Sequence, residues 1–385
     1  MQIKEVCGEI IKDSRNEKTI LVRIKTNVGE FFASAPNGKS KGKNEAMPYK
    51  KTIENDIKKL ESFKDYFSKE YIEKFEDLRR IEDIIGKDVG ANTLFAFESA
   101  VLKALSKEQK KEIWQLINLN ANKFPRLVGN CIGGGLHSQG INEKIPDFQE
   151  FLLIPNENSV EKNFNLMKKI KEDVEVYLNK YDGKFKSKKN DEDALVSSLD
   201  DKTLLEILSK FKIDLGIDVA SSSFYKRGKY KYNQPKIFRT KEEQLEYVSS
   251  LIKNFNILYI EDAFEQEDFE SFSKLLKRFS NKLIVGDDLT TTNLKRLEKA
   301  IEEKSINAII VKPNQNGSLI KLKKICEFAK EKNIKIIISH RSGETNENIL
   351  ADLAFGFEAD FIKCGITGKE REVKIKRLIE IEKKF

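Results

Sequence analysis

From residue 257 onward the chain repeats one pattern: a short apolar run, a polar residue that closes it, and a stretch whose apolar positions fall three and four residues apart. The runs are ILYIED (257–262), LIVGDD (283–288), AIIVK (308–312), IKIIISH (334–340) and DFIKCG (360–365). They recur about every 25 residues, the length of a strand followed by a helix. The stretches between them, such as LKRLEKAIEEK and SLIKLKKICEFAKEK, carry the helical period. An earlier unit fits too, with DDKTLLEILSKF as helix and KIDLGID (212–218) as strand. Strands joined through helices run in the same direction, so the pattern predicts a parallel sheet.

Two architectures share that alternation, an open doubly wound sheet and a closed barrel, and the polar residues separate them. A barrel places its chemistry at the C-terminal ends of several strands. An open sheet gathers it at one switch point, often beside a Gly-rich phosphate loop. Here the strand ends supply Asp218, Glu261, Asp287, Lys312, His340 and Lys363 in turn, and neither GxGxxG nor a Walker sequence occurs. The fold class read from this is α/β, a TIM-type (β/α)8 barrel. The opening of the chain differs: two β-rich runs, EIIKDSRNEKTILVRIKT and GEFFASAP, precede a long helical stretch reaching about residue 123. This opening resembles an N-terminal α+β cap domain, over 1–125, ahead of a C-terminal barrel catalytic domain over 126–385, for which 385 residues suffice.

Charged residues make up 34% of the chain, and no run approaches the roughly 18 apolar residues of a membrane span. The start, MQIKEVCGEI, lacks the pattern of a secretory signal, and Cys7, Cys131, Cys326 and Cys364 lie scattered without CxxC pairing. A cytoplasmic protein with no membrane partner, disulfide framework or zinc site is expected. The net charge of +8 arises from dispersed lysines; few aromatics interleave with the clusters KSKGK (39–43) and KFKSKK (184–189). A solvated surface is therefore expected rather than a nucleic-acid partner.

Three carboxylates at successive strand ends, Asp218, Glu261 and Asp287, would converge at a barrel mouth, and an all-oxygen set suits Mg²⁺. The competing reading is that each acid caps the helix that follows it. Lys312 and Lys363 end apolar strands, where a lysine is paired or used; beside a divalent cation its pKa can fall far enough for work as a base. The competing reading there is an ion pair with the nearby acids. SHRSGET (339–345) sets Arg341 at a strand-to-helix junction, able to clamp phosphate, unless the loop is simply solvated. The only other histidine, His137, lies in the Gly-rich GGGLHSQG, as part of a closing loop or in a structural role.

Those residues occur in strings that resemble the enolases: SHRSGET, VGDDLTTTN, YIEDAF, GIDVASSSFYKRGKY and FIKCGITGKERE, with DSRNEKT (13–19), APNGKSKGKNEA (35–46) and QEFLLIP (149–155) extending the similarity over nearly the whole chain. The resemblance implies a Mg²⁺-dependent lyase interconverting 2-phosphoglycerate and phosphoenolpyruvate, built as a homodimer with two ions per site. It implies Asp218, Glu261 and Asp287 as ligands of the tighter ion, with Glu261 and Asp287 also bordering the substrate. Ser40 helps to hold the second ion. Lys312 is implied as the base, Glu192 as the general acid with Glu150 as its partner carboxylate, Arg341 and Ser342 as phosphate ligands, Lys363 at the substrate's charged end, and His137 on a closing loop. Removing the carbon 2 proton builds negative charge that Mg²⁺ and Lys363 would neutralise. Loss of the carbon 3 hydroxyl then needs a donor, a task for Glu192 if Glu150 and Asp193 raise its pKa.

The family's acid sits in a GDEGG loop, whereas this chain reads Asn190, Asp191, Glu192, Asp193, Ala194. Left-handed backbone at the replaced glycines would force the loop to be rebuilt and turn Glu192 elsewhere. Such a change would favour the alternative of a diverged enolase-like protein, acting on another acid or serving only as a binding partner.

Overall fold

The computed structural model describes residues 1–39 and 42–385. Ser40, implied as a ligand of the second metal ion, lies outside the described residues. The chain opens with an antiparallel sheet of β1 (Ile3–Lys12), β2 (Lys18–Thr26) and β3 (Gly29–Ser34), in that spatial order. The run EIIKDSRNEKTILVRIKT is thus a hairpin, its turn pinned by Asp13, whose Oδ1 accepts from the amides of Arg15 at 2.8 Å and Glu17 at 2.9 Å. The helical stretch beyond is interrupted, giving α1 (Ile53–Ser62), α2 (Leu78–Ile85) and α3 (Ala91–Gln109) as its main pieces. Helix α3 is buried almost all round, because the sheet covers one side and other helices the rest.

Eight further strands close into a barrel: β4 (Arg126–Gly133), β5 (Glu150–Ile154), β6 (Asp214–Asp218), β7 (Ile257–Glu261), β8 (Leu283–Gly286), β9 (Ala308–Val311), β10 (Lys335–Ser339) and β11 (Phe361–Lys363). They neighbour one another in chain order, and β11 pairs with β4 to complete the ring. The pairings from β6 round to β4 are parallel, as the alternation predicts. The exception is β5, antiparallel to both β4 and β6, because it follows β4 through a loop instead of a crossover helix.

The outer helices are α4 (Val160–Tyr181), α5 (Asp201–Leu208), α6 (Lys241–Asn254), α7 (Phe269–Arg278), α8 (Leu294–Glu302), α9 (Leu319–Glu331), α10 (Ile349–Gly356) and α11 (Lys369–Glu382). Four of them are started by Thr240, Asp268, Asn293 and Ser318, whose side chains accept amide hydrogen bonds from the first turn. The strand-end acids therefore do not cap these helices and stay free for the barrel mouth.

Side chains alternate along a strand, so residues two apart share a face. Val128, Leu152, Tyr259, Val285, Ile310, Ile337 and Phe361 pack together as an apolar layer inside the ring. Two residues from Tyr259, Val285, Ile310 and Phe361, on the same inward face, stand Glu261, Asp287, Lys312 and Lys363. Glu150 reaches that mouth because β5 runs in reverse: its first residue is the register partner of Asp218, the last of β6.

A later barrel helix, α9, also meets the N-terminal region. Glu98 on α3 is buried, with Oε2 accepting from Leu319 N of α9 at 2.6 Å and Oε1 without a hydrogen-bond partner. Burial, reinforced by Glu82, pushes its carboxyl well above the ordinary value. A raised folded pKa means stability held at low pH and lost as pH rises toward that value. Glu98→Gln, which cannot ionise and keeps the acceptor for Leu319, is expected to melt a few degrees above the parent at pH 8. The advantage should shrink toward pH 5 in thermal melts; a gain independent of pH would count against it.

Candidate active site

The barrel mouth holds the inward-facing acids around two ammonium groups. Lys363 Nζ lies 3.1 Å from Asp218 Oδ2, 2.8 Å from Glu261 Oε2 and 3.2 Å from Glu150 Oε2. Lys312 Nζ donates to Asp287 Oδ2. Both lysines thus form the ion pairs weighed against a chemical role, and they do so inside the site. Burial lowers each ammonium's pKa, but Asp287 outweighs it at Lys312, and Asp218 and Glu150 do so at Lys363; both lysines end above the ordinary value.

The carboxylates remain in excess. Burial and the Asp218 charge push Glu261 up to about 8 against the pull of Lys363, while Asp287 is held below the ordinary range by Lys312 despite its burial. Glu150 Oε2, Glu261 Oε1 and Asp287 Oδ1 are buried without a hydrogen-bond partner. Buried carboxyl oxygens in surplus over their donors are what a hard divalent cation satisfies, so the residues present fit one. Among the described residues, the sets gathered within 4.8 Å are Asp262, Asp287 and Asp288, and His137, Glu150 and Glu192. The expected triplet of Asp218, Glu261 and Asp287 is not one of them, because Lys363 bridges its first two members and Lys312 engages the third. Asp262 is committed to structure: its carboxylate accepts from the amides of Asp287 at 3.0 Å and Asp288 at 2.8 Å, fixing the turn after β8.

On the other side, Glu192 Oε1 lies 3.4 Å from His137 Nδ1 and 3.8 Å from His340 Nε2, while Oε2 accepts from Asn130 Nδ2 at 2.9 Å. Burial raises the Glu192 carboxyl, but His137 and Arg371 outweigh it and hold the group below the ordinary range. Glu150, desolvated and facing the Glu192 charge, is pushed well above. These directions run against the expectation that Glu150 and Asp193 raise Glu192. Of this carboxyl pair it is Glu150 that is raised, and Asp193 faces away toward Lys171. His340 is held neutral by burial and by Arg371.

Glu192 points into the mouth although the glycines are gone. Asp193 itself takes the left-handed backbone, φ +61°, and Asn190 Oδ1 accepts from the amides of Glu192 and Ala194, both at 3.0 Å. A side chain at Gly133 would meet Asn190 Nδ2 at 2.1 Å, so β4 needs a glycine where that amide packs.

The SHRSGET loop is buried rather than solvated. Arg341 Nη2 reaches Glu45 Oε1 at 3.2 Å and Oε2 at 3.0 Å, and Nη1 donates to Asn314 Oδ1 at 3.1 Å. Gly38 lies flat on this guanidinium, where a Cβ would fall 1.9 Å from Nη2. Ser342 Oγ accepts from Lys39 N at 2.8 Å and Arg15 Nη1 at 2.9 Å, and Lys39 Nζ lies 3.3 Å from Asp191 Oδ2. One cavity is lined by His137, Glu150, Glu192, Asp218, Asp287, Lys312, Arg341, Ser342 and Lys363 together, with Glu261 fully buried beneath Lys363. A larger cavity of about 510 Å³ behind the residue-137 loop has a mixed lining that includes Lys144, Lys226, Lys231 and Lys236, and it lacks this convergence.

Two contributors escaped the sequence reading. Glu45 orients Arg341, and Arg371 donates to the carbonyls of Arg341 and Ser342, both at 2.8 Å, and of Asp191 at 3.1 Å. Both stand within the quoted strings APNGKSKGKNEA and FIKCGITGKERE, but nothing in their local pattern marks a role.

Comparison with known proteins agrees with the barrel. Residues 122–385 match the family model for the enolase C-terminal TIM barrel domain. The chain is similar to the enolase of Pyrobaculum aerophilum, 34% identical over 99% of this chain and 96% of the relative. It is likewise similar to those of Sulfurisphaera tokodaii, 35% identical over 100% and 96%, and Sulfolobus acidocaldarius, 36% identical over 99% and 95%. With a closed barrel, acids and lysines meeting at its mouth, and matched sequence running through both the cap and the barrel, the chain belongs to the enolase family and is an enzyme of the phosphopyruvate hydratase type.

Proposed function

We propose that this chain interconverts 2-phospho-D-glycerate with phosphoenolpyruvate and water in glycolysis and gluconeogenesis, as a Mg²⁺-dependent cytoplasmic homodimer. In this reading the cap of residues 1–125 covers a barrel of residues 126–385. The supporting observation is one juxtaposition: two lysines among acids on one side of the mouth, and a carboxyl pair with two histidines on the other.

Asp218, Glu261 and Asp287 would hold the tighter Mg²⁺, with Ser40 toward a second ion. Bound there, Mg²⁺ supplies electrostatic stabilisation for charge developing on the substrate carboxylate. Arg341 and Ser342 would bind the phosphate, the arginine being pre-oriented by Glu45 and Asn314. Lys312 takes the carbon 2 proton, and Lys363 keeps its positive charge beside the substrate carboxylate. Glu192 and Glu150 share the proton that leaves with the carbon 3 hydroxyl, and His137 closes over the pair. Water is thereby excluded from the reacting centre.

The alternative of a diverged protein with another substrate drew on the missing glycines. Asp193 adopts the left-handed backbone and Glu192 faces the mouth, so the loop no longer favours it. The test follows phosphoenolpyruvate absorbance with purified protein, 2-phosphoglycerate and Mg²⁺. Turnover that disappears with EDTA is expected, and its absence above background would defeat the reading.

A further inference from the structure

The residue after Glu192 carries an unusual load. A non-glycine residue at φ +61° needs support, and aspartate often finds it in its own backbone. Asp193 finds it in distant elements. Its carboxylate accepts from Thr367 Oγ1, in the turn after β11, and from Lys171 Nζ of α4 at 3.2 Å, with Lys189 Nζ at 3.5 Å. Lys171 also donates to the Asp193 carbonyl and to Thr367 Oγ1.

Lys171 is buried, and an ammonium has three protons to place. Asp193 O, Asp193 Oδ2 and Thr367 Oγ1 account for all three. Burying an ammonium is unfavourable unless it is fully partnered, and here every partner belongs to this one loop or to the turn facing it. Helix α4 and the end of β11 belong to the barrel body, so the loop is fastened to its rigid part. On the near side the Glu192 amide is held by Asn190 Oδ1, and the Asp191 carbonyl by Arg371 at 3.1 Å. The chain is thus gripped immediately before and after the Glu192 side chain, whose reach to the reacting carbon tolerates little displacement.

We propose that Lys171 and Thr367, acting through Asp193, are positioning residues for the proton-donating carboxyl pair: they hold the left-handed backbone after Glu192 and so aim its carboxyl into the mouth. This rests on the assignment of Glu192 to the dehydration step.

The test compares Lys171→Met, Asp193→Gly and Asp193→Asn in two assays with Mg²⁺: phosphoenolpyruvate formation, and exchange of the carbon 2 hydrogen of 2-phosphoglycerate with deuterated solvent. Lys171→Met and Asp193→Gly are expected to lower kcat for product by roughly 10- to 100-fold with KM and carbon 2 exchange largely retained. Glycine accepts the backbone and keeps its carbonyl but lacks the carboxylate ties, so its loss separates the two. Asp193→Asn, which keeps an acceptor and tolerates that backbone, should retain most of the rate. Combining Lys171→Met with Asp193→Gly should be no worse than either alone, because both cut one tether. Unchanged kcat in both single variants, or equal loss of exchange and product, would overturn the proposal.

Amide hydrogen exchange at Glu192 and Ala194 needs no substrate and is expected to rise in Lys171→Met; unchanged protection would overturn the tether itself. A parent protein with neither turnover nor carbon 2 exchange would instead defeat the functional reading, a separate result. If Lys171→Met does not fold, Asp193→Gly and Asp193→Asn decide the matter.

Discussion

Lys312→Ala is expected to lower turnover by about 10²- to 10⁴-fold, the share that a positioned general base supplies. Lys312 follows β9 on the inward face, with its ammonium on Asp287. Its removal should abolish carbon 2 exchange in the same proportion as product formation, because both pass through the same proton removal. Lys312→Arg should fare no better, since a guanidinium does not deprotonate. Asp287 loses a competing cation in the alanine variant, so Mg²⁺ should bind no more weakly by calorimetry. Persistent carbon 2 exchange in Lys312→Ala would place the base elsewhere.

Lys363→Met should disturb stability as much as rate. The ammonium is buried within 3.2 Å of three carboxylates. Removing one member of a buried charge set strands the others and destabilises by about 3–5 kcal/mol. The melting temperature in EDTA should fall by several degrees. A divalent cation neutralises the same oxygens, so saturating Mg²⁺ should recover much of the deficit while turnover stays low. A deficit of equal size with and without Mg²⁺ would show that these carboxylates do not hold the ion.

The barrel was legible where strands alternate with helices. The runs at 212–218 and from 257 onward became β6 to β11, and the inward face placed Asp218, Glu261, Asp287, Lys312 and Lys363 together. β4 and β5 were not legible from periodicity: RLVGNCIG is broken by two glycines and an asparagine, and EFLLI follows it without a helix, so the repeating signal is absent. Glu45 escaped because 296 residues separate it from Arg341, and no local pattern records a contact of that span. Which of Glu150 and Glu192 is raised depends on the cations around each carboxyl, and those beside Glu192, His137 and Arg371, come from other segments of the chain. The NDEDA loop was legible as a departure but not in its outcome. Reading its lost glycines as a misdirected acid omitted Lys171 and Thr367, which lie on other elements and make the left-handed backbone sustainable.

The reversed course of β5 sets different evolutionary rules for two adjoining segments. Beyond the segment that sets His137 against Glu192, the loop from residue 134 to 149 has only to bring the chain back, and loop closure becomes harder very slowly with length, so relatives can add or delete residues there. The pairing of Glu150 with Asp218 has no such latitude. A slip of one residue would turn Glu150 outward among the apolar packing and bring Phe151 into the mouth. Insertions in this family should therefore accumulate up to the strand and stop at its first residue.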